Sequence, residues 1–239
     1  MDILEEKKRA DKFSKGFSKY ENFNAFLSRY RIKTILENCS EKKTLLDIGC
    51  SFGEIAKELS PYFDKIIAVD GSEELIKKAE KENSAPNIIY KISIFEELKL
   101  EEKFDVVLMS FVLEHVADSI KTLEKAASFL NEKGILFVMV PNAESLHRRV
   151  GKAMGAIKEL DELTAKDINH GHRRVYSIEK LSQDIKNAGL KIEKISTFFI
   201  KPFSNPQMEK FDSKICDALY EVGKELPGLG SMIYAVIKR

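Results

Sequence analysis

Residues 44–59 read TLLDIGCSFGEIAKEL, an apolar run closed by an acidic residue, then a turn with glycines at 49 and 53, then a helical segment. A junction of this kind belongs to an open α/β sheet, because it leaves backbone N–H groups and a helix N-terminus facing a ligand at the carboxyl end of a strand. The next apolar run, Ile66 to Val69, is followed by Asp70, 23 residues after Asp47. A carboxylate at that place can accept hydrogen bonds from both hydroxyls of a ribose. The order strand, glycine turn, helix, strand, aspartate therefore describes a nucleotide-type site.

The rest of the chain keeps the same rhythm. Apolar runs at Thr44 to Ile48, Ile66 to Val69, Ile88 to Ile92, Phe104 to Met109 and Ile135 to Val140 alternate with helical segments, as in βαβ units around a parallel sheet. Lys191 to Ile200 and Ser231 to Lys238 add two more strands, which makes seven. One helix is predicted with Ile120, Leu123, Ala127 and Leu130 on its apolar face and Gly134 closing it. A second starts at the N-cap candidate Ser177, buries Ile178, Leu181, Ile185 and Ala188, and stops at Gly189. Three stretches stand outside the rhythm: 1–40, 142–176 and 201–230. The first has Phe13, Phe17, Tyr20, Phe23, Leu27 and Tyr30 at helical spacing, a helix docked on the core. The second, with Gly151, Gly155 and Gly171 among polar residues, reads as a lid or active-site loop. The third places Phe211, Ile215, Leu219 and Val222 on one helical face, either covering a pocket or meeting a second copy of the chain.

A dinucleotide fingerprint needs glycines at 51 and 54, where the chain has Ser51 and Glu54, and a phosphate-binding GxxxxGK[ST] is absent too. The pattern is Asp47-x-Gly49-x-Ser51-x-Gly53. It resembles the first motif, D-x-G-x-G-x-G, of the class I S-adenosylmethionine-dependent methyltransferases, with Ser51 in the place of the middle glycine, where it must avoid positive φ or bear strain. AVDGSEELIKKA, FDVVLMSFVLEHVADS and GILFVMVPN resemble the later motifs, so the likeness covers about residues 40–200. It is nearest to the ubiquinone-biosynthesis-like and sugar-modifying O-methyltransferases.

The resemblance implies a Rossmann-like, doubly wound sheet of seven strands with the last antiparallel, in one methyltransferase domain (41–239) under an N-terminal helical cover (1–40). It implies S-adenosylmethionine as cofactor, S-adenosylhomocysteine as product, and cofactor contacts from Asp47, Gly49, Cys50, Ser51, Gly53, Asp70, Gly71 and Ser110. Many members meet the adenine amine with an acidic residue after the third strand. Here Ser93, Ile94 and Phe95 stand there, leaving backbone groups and apolar packing to hold the base, with Glu96 as a substitute. A different nucleotide-binding Rossmann-like domain and a fold without turnover are the alternatives.

Methyl transfer is an in-line displacement, so catalysis is largely positioning, and an alcohol acceptor also requires a base. His115, after the fourth strand, is one candidate, or else a capping residue. HGHRRVYS, residues 170–177, resembles the G-H-x-x-x-[FY]-S stretch of small-molecule members. That likeness brings His172 and Tyr176 to the acceptor pocket, with His172 a second candidate base or a cap. Of the eight arginines, four form the pairs Arg148-Arg149 and Arg173-Arg174 at the two ends of the lid, beside His147, His170 and His172. Arginine offers a planar fork for carboxylate or phosphate. The pairs either capture an anionic acceptor or pair with Asp161, Glu162 or Asp167 and fix the lid. Tyr20, His147, Arg148, His170, Arg173, Arg174 and Tyr176 are the candidate substrate contacts.

Composition narrows the remaining classes. With 39 basic against 38 acidic residues the net charge is +1, which leaves little general field for collecting nucleic acid. Cys39, Cys50 and Cys216 have no disulfide or metal-binding spacing, so no metal is expected. No apolar run reaches the roughly 20 residues of a membrane span, and the first residues lack a signal-peptide core, so a cytoplasmic protein is expected. The expected activity is methyl transfer to an oxygen of a small, polar, anionic acceptor such as a sugar, nucleotide sugar or phosphorylated metabolite, by a monomer or homodimer. N-methylation of a small amine and cofactor binding without turnover are the competing readings.

Overall fold

The computed structural model describes residues 21–39 and 43–239. Phe13, Phe17 and Tyr20 of the expected N-terminal helix lie outside them. The chain opens with α1 (Glu21–Asn38), β1 (Thr44–Ile48), α2 (Glu54–Leu59), β2 (Lys65–Asp70), α3 (Glu73–Glu82) and β3 (Ile88–Ile92). β4 (Phe104–Ser110), α4 (Ser119–Ser128) and β5 (Leu130–Pro141) follow. Residues 142–176, the expected lid or active-site loop, carry α5 (Leu146–Ala153) and α6 (Ala165–Asn169), and α7 (Ile178–Asn187) leads to β6 (Lys191–Phe198). α8 (Asn205–Met208), α9 (Ser213–Glu225) and β7 (Met232–Lys238) complete it.

The seven strands form one sheet in the order β3-β2-β1-β4-β5-β7-β6, with β7 antiparallel to both of its neighbours. Side chains alternate across it and build a core on each face. On β4, Val106 and Leu108 join Leu45, Ala68 and the helices α1 and α9, whereas Val107 and Met109 join Leu46, Val69 and the helices α4 and α7. The strand order reverses between β1 and β4, which opens a crevice at their carboxyl ends. α1 covers that side through Leu27, Tyr30 and Ile35, all buried.

Two helices differ from expectation. The helix after β4 is capped by Asp118 and ends at Ser128, so Leu130 and Gly134 belong to β5. Gly134 is needed there because a Cβ would lie 2.7 Å from the Phe104 carbonyl oxygen at the bulge in the β4–β5 pairing. In α9 the buried stripe is Cys216, Tyr220 and Gly223, while Ile215 and Val222 are exposed. Tyr220 stacks on Tyr30 at 5.1 Å and bonds Thr34 and Glu37, so polar contacts to α1 rotate the helix away from its most apolar face. Tyr220→Ala should therefore cost about 3–5 kcal/mol in denaturant unfolding, and Ile215→Lys under about 0.5 kcal/mol.

Candidate active site

The crevice is a cleft of about 1530 Å³, larger than the roughly 300–1,000 Å³ that one small ligand occupies. It therefore has room for two ligands end to end.

At one end lies the turn after β1. Gly49, Ser51 and Gly53 all adopt positive φ, 73°, 52° and 80°, so Ser51 bears the strain its position implies. The Ser51 N–H donates to Asp70 Oδ2 and the Ser72 N–H to Asp70 Oδ1, both at 2.9 Å, which fixes the carboxylate at the end of β2. Asp47 is buried, its Oδ2 has no hydrogen-bond partner among the described residues, and burial, reinforced by Asp70, pushes its carboxyl up to about 7. The buried hydroxyls of Ser51 and Ser110 likewise have no partner among the described residues.

Asp47, Gly49, Cys50, Ser51, Asp70, Phe95 and Ser110 line the cleft. Gly53, Gly71, Ser93 and Ile94 do not. Gly53 faces the Tyr90 hydroxyl, which fills the space a Cβ would need, so its glycine serves the turn. Ile94 is buried, and the Ser93 hydroxyl donates to the Ile94 carbonyl. Sequence reasoning missed Arg31, which reaches over from α1, lies 5.0 Å from the Phe111 ring and donates to Ser28 Oγ. Phe111 itself has φ 60°, a costly conformation for a bulky residue, just beyond β4.

At the middle of the cleft stand Glu114, His115 and His172, whose carboxylate and ring-nitrogen atoms lie within 4.8 Å of one another. The His115 and His172 rings meet edge to face at 4.8 Å, with His170 at 6.2 Å from His172. Among the described residues neither of the buried Glu114 oxygens has a hydrogen-bond partner, and burial raises its carboxyl to about 8. Burial therefore favours its protonated form. His172 Nδ1 lies 3.3 Å from Asp167 Oδ1. Against the effect of burial, His172 and Thr164 hold the Asp167 carboxyl well below the usual range.

A methyltransferase domain family model matches residues 21–195, about three quarters of the chain. The chain belongs to the methyltransferase domain family. A ubiquinone biosynthesis O-methyltransferase of Pelagibacter ubique is 29% identical over 157 residues, which cover 57% of this chain and 65% of that relative's length. A methyltransferase from Thermotoga maritima described as a possible histamine N-methyltransferase superposes with a TM-score of 0.65 at 20% identity, over 96% of this chain and 99% of its own. The N-methyltransferase NodS of Bradyrhizobium japonicum, solved with S-adenosylhomocysteine, gives 0.57 at 14% identity, over 88% and 86%. These two show the fold.

The methyltransferase is of class I and its cofactor is S-adenosylmethionine, which supplies an electrophilic methyl group. The glycine-turn end fits that group: two carboxylates, Asp47 and Asp70, face a cleft that hydroxyls and an ammonium can enter, and Asp47 Oδ2, Ser51 Oγ and Ser110 Oγ are polar atoms awaiting partners.

The lid arginines are used differently from the expectation of anion capture. Arg148 donates to the Leu160 and Glu162 carbonyls and meets Asp167 at 3.4 Å, and Arg149 donates to the Glu144 carbonyl. Arg173 donates to the His115 carbonyl, and Arg174 to those of Leu113 and Ala117. Arg148 lines the cleft, but Arg173 and Arg174 do not, because they clamp the turn that carries Glu114 and His115. Tyr176 is also off the cleft, fully buried with its hydroxyl on Asp184. His147 and His170 do line it. Ser145 Oγ is 3.0 Å from His147 Nδ1, and burial with three nearby cations lowers that ring to about 3, so it is neutral. The 201–230 stretch covers the pocket through Lys201, Ser204, Asn205 and Pro206.

Ionising Asp47 in the folded protein is unfavourable below about pH 7, so a cationic ligand beside it must displace a proton there. S-adenosylhomocysteine carries an ammonium group, and its affinity should rise from pH 5.5 to about 7 and then level. Calorimetry at pH 6 in two buffers of different ionisation enthalpy should show proton release, and Asp47→Asn should abolish it. Arg174→Ala removes two charge-assisted bonds, about 2 kcal/mol. In a chain of this size Tm should fall by roughly 4–8 °C, with kcat reduced more than the KM for cofactor.

Proposed function

We propose that the protein transfers the methyl group of S-adenosylmethionine to an oxygen of a small polar acceptor, with His172 as the base that takes the acceptor's proton. The observation that supports this is the carboxylate of Asp167 behind His172 Nδ1 at 3.3 Å, with the ring against His115 on the wall of the cleft. A carboxylate beside one ring nitrogen orients the ring and leaves the other nitrogen to accept a proton. An amine acceptor would need no such arrangement once neutral, whereas a hydroxyl does. The names of curated relatives, ubiquinone biosynthesis O-methyltransferases, agree with oxygen as the methyl acceptor. Glu114, whose protonated form burial favours, is suited to donate a hydrogen bond to the acceptor.

The test is release of S-adenosylhomocysteine with panels of small hydroxyl and amine acceptors. His172→Ala should lower kcat about 100-fold or more and leave cofactor affinity unchanged, and Asp167→Asn should lower it less while altering the pH profile. Undiminished kcat in His172→Ala, or turnover confined to amines, refutes the assignment.

A further inference from the structure

Three cations, Lys201, Lys166 and Arg148, lie near one another on the wall of the cleft, which Asp167 and Glu114 also line, and the reaction makes no use of Lys201. The Asp167 carboxylate is already engaged by Arg148 at 3.4 Å and His172 at 3.3 Å. His147, between these cations, is uncharged. Lys201 follows β6 where the chain turns toward α8, and its Nζ donates to the neutral Asn205 Oδ1 at 3.0 Å. Among the described residues no carboxylate forms an ion pair with it.

Burial first, then the charges of Lys166 and Arg148, lower the Lys201 ammonium to about 8. Holding an ammonium in a half-dry pocket beside two other cations opposes its charged state. Nothing in the packing of β6 or α8 requires it, since Met208 and Phe198 supply the local core. A cation kept at such a disadvantage on the wall of a ligand cleft is the mark of a site completed by an anion.

We propose that Lys201 and Lys166, backed by Arg148, form the subsite for an oxyanion group, carboxylate or phosphate, carried by the methyl acceptor. The proposal rests on the methyltransferase reading and adds to it the acceptor's charge and the end of the cleft where that charge sits. The reacting oxygen then lies between this anchor and the cofactor end, beside His115 and His172. An anionic acceptor was expected from the arginine pairs, but the cation that selects it is a lysine outside the lid. Lysine gives a compact point charge on a flexible stem.

The experiment uses the full chain saturated with S-adenosylhomocysteine, titrated by calorimetry at pH 7 with benzoate, with phenyl phosphate, and with benzyl alcohol as the neutral control. One of the two anions should bind at least tenfold more tightly than the alcohol, and which one identifies the oxyanion. Lys201→Met should weaken that binding about tenfold or more, and Lys201→Arg should restore most of it, with the affinity for S-adenosylhomocysteine equal in all three proteins. Anion binding that survives Lys201→Met, or no preference over the alcohol, overturns the proposal. Weaker S-adenosylhomocysteine binding in Lys201→Met also overturns it, by assigning the lysine to the cofactor's own carboxylate. Failure of the unaltered protein to bind S-adenosylhomocysteine at all would instead remove the methyltransferase reading. Should Lys201→Met not fold, labelling of the unaltered protein with trinitrobenzenesulfonate at pH 8 decides: modification of Lys201 must be slowed by the same anion and not by benzyl alcohol.

Discussion

The two hydrogen bonds that Asp70 accepts, from the N–H groups of Ser51 and Ser72, tie the end of β2 to the turn after β1. Everything at the cofactor end follows from that tie. It holds three successive alternate residues of the turn, Gly49, Ser51 and Gly53, at positive φ, and it places a second carboxylate close enough to Asp47 to oppose its ionisation. Ser51 shows the cost: a side chain in a conformation that favours glycine, its hydroxyl buried without a hydrogen-bond partner among the described residues. A turn strained in this way persists because β1 and β2, which it joins through Asp70, are buried along most of their length and resist relaxation.

The acceptor end is built on a different principle. Its arginines are scaffolding: Arg148 and Arg149 fasten the lid to its own carbonyls, and Arg173 and Arg174 fasten the turn after β4. A planar fork that satisfies two carbonyls at once positions an irregular backbone well, as it would position a carboxylate. The result is a rigid frame around Glu114, His115 and His172, in which a buried carboxyl, a carboxylate-backed imidazole and a lysine are held in one cleft. Groups in such different electrostatic surroundings can divide the tasks of proton acceptor, hydrogen-bond donor and anion anchor.

Much of the fold was legible in the sequence because it rests on short-range patterns. β1 and β3 have the bounds their apolar runs predict, and the Ser177 cap and Gly189 stop of α7 lie where local chemistry puts them. Apolar periodicity misled at α9, where Tyr220 and its polar partners on α1 decided the orientation. It misled again at Gly134, whose role is set by the carbonyl of a residue thirty positions away. In the site, the motif residues Asp47, Gly49, Ser51 and Asp70 were readable. Lys201, Arg31 and Glu114 were not, because the sequence gives no sign that a lysine after β6 or an arginine in α1 returns to the same cleft as the glycine turn.

By itself, then, the amino-acid order determined the seven-stranded scaffold and the cofactor turn, since strand alternation, helix caps and glycine positions act over a few residues. Only the tertiary structure decided which charged side chains face the cleft and which spend their charge on carbonyls. That choice depends on burial and on partners far apart in sequence. The side chains of Arg173 and Arg174 turn to carbonyls while Lys201 lines the cleft, because residues 142–176, the turn after β4 and the segment before α8 meet there.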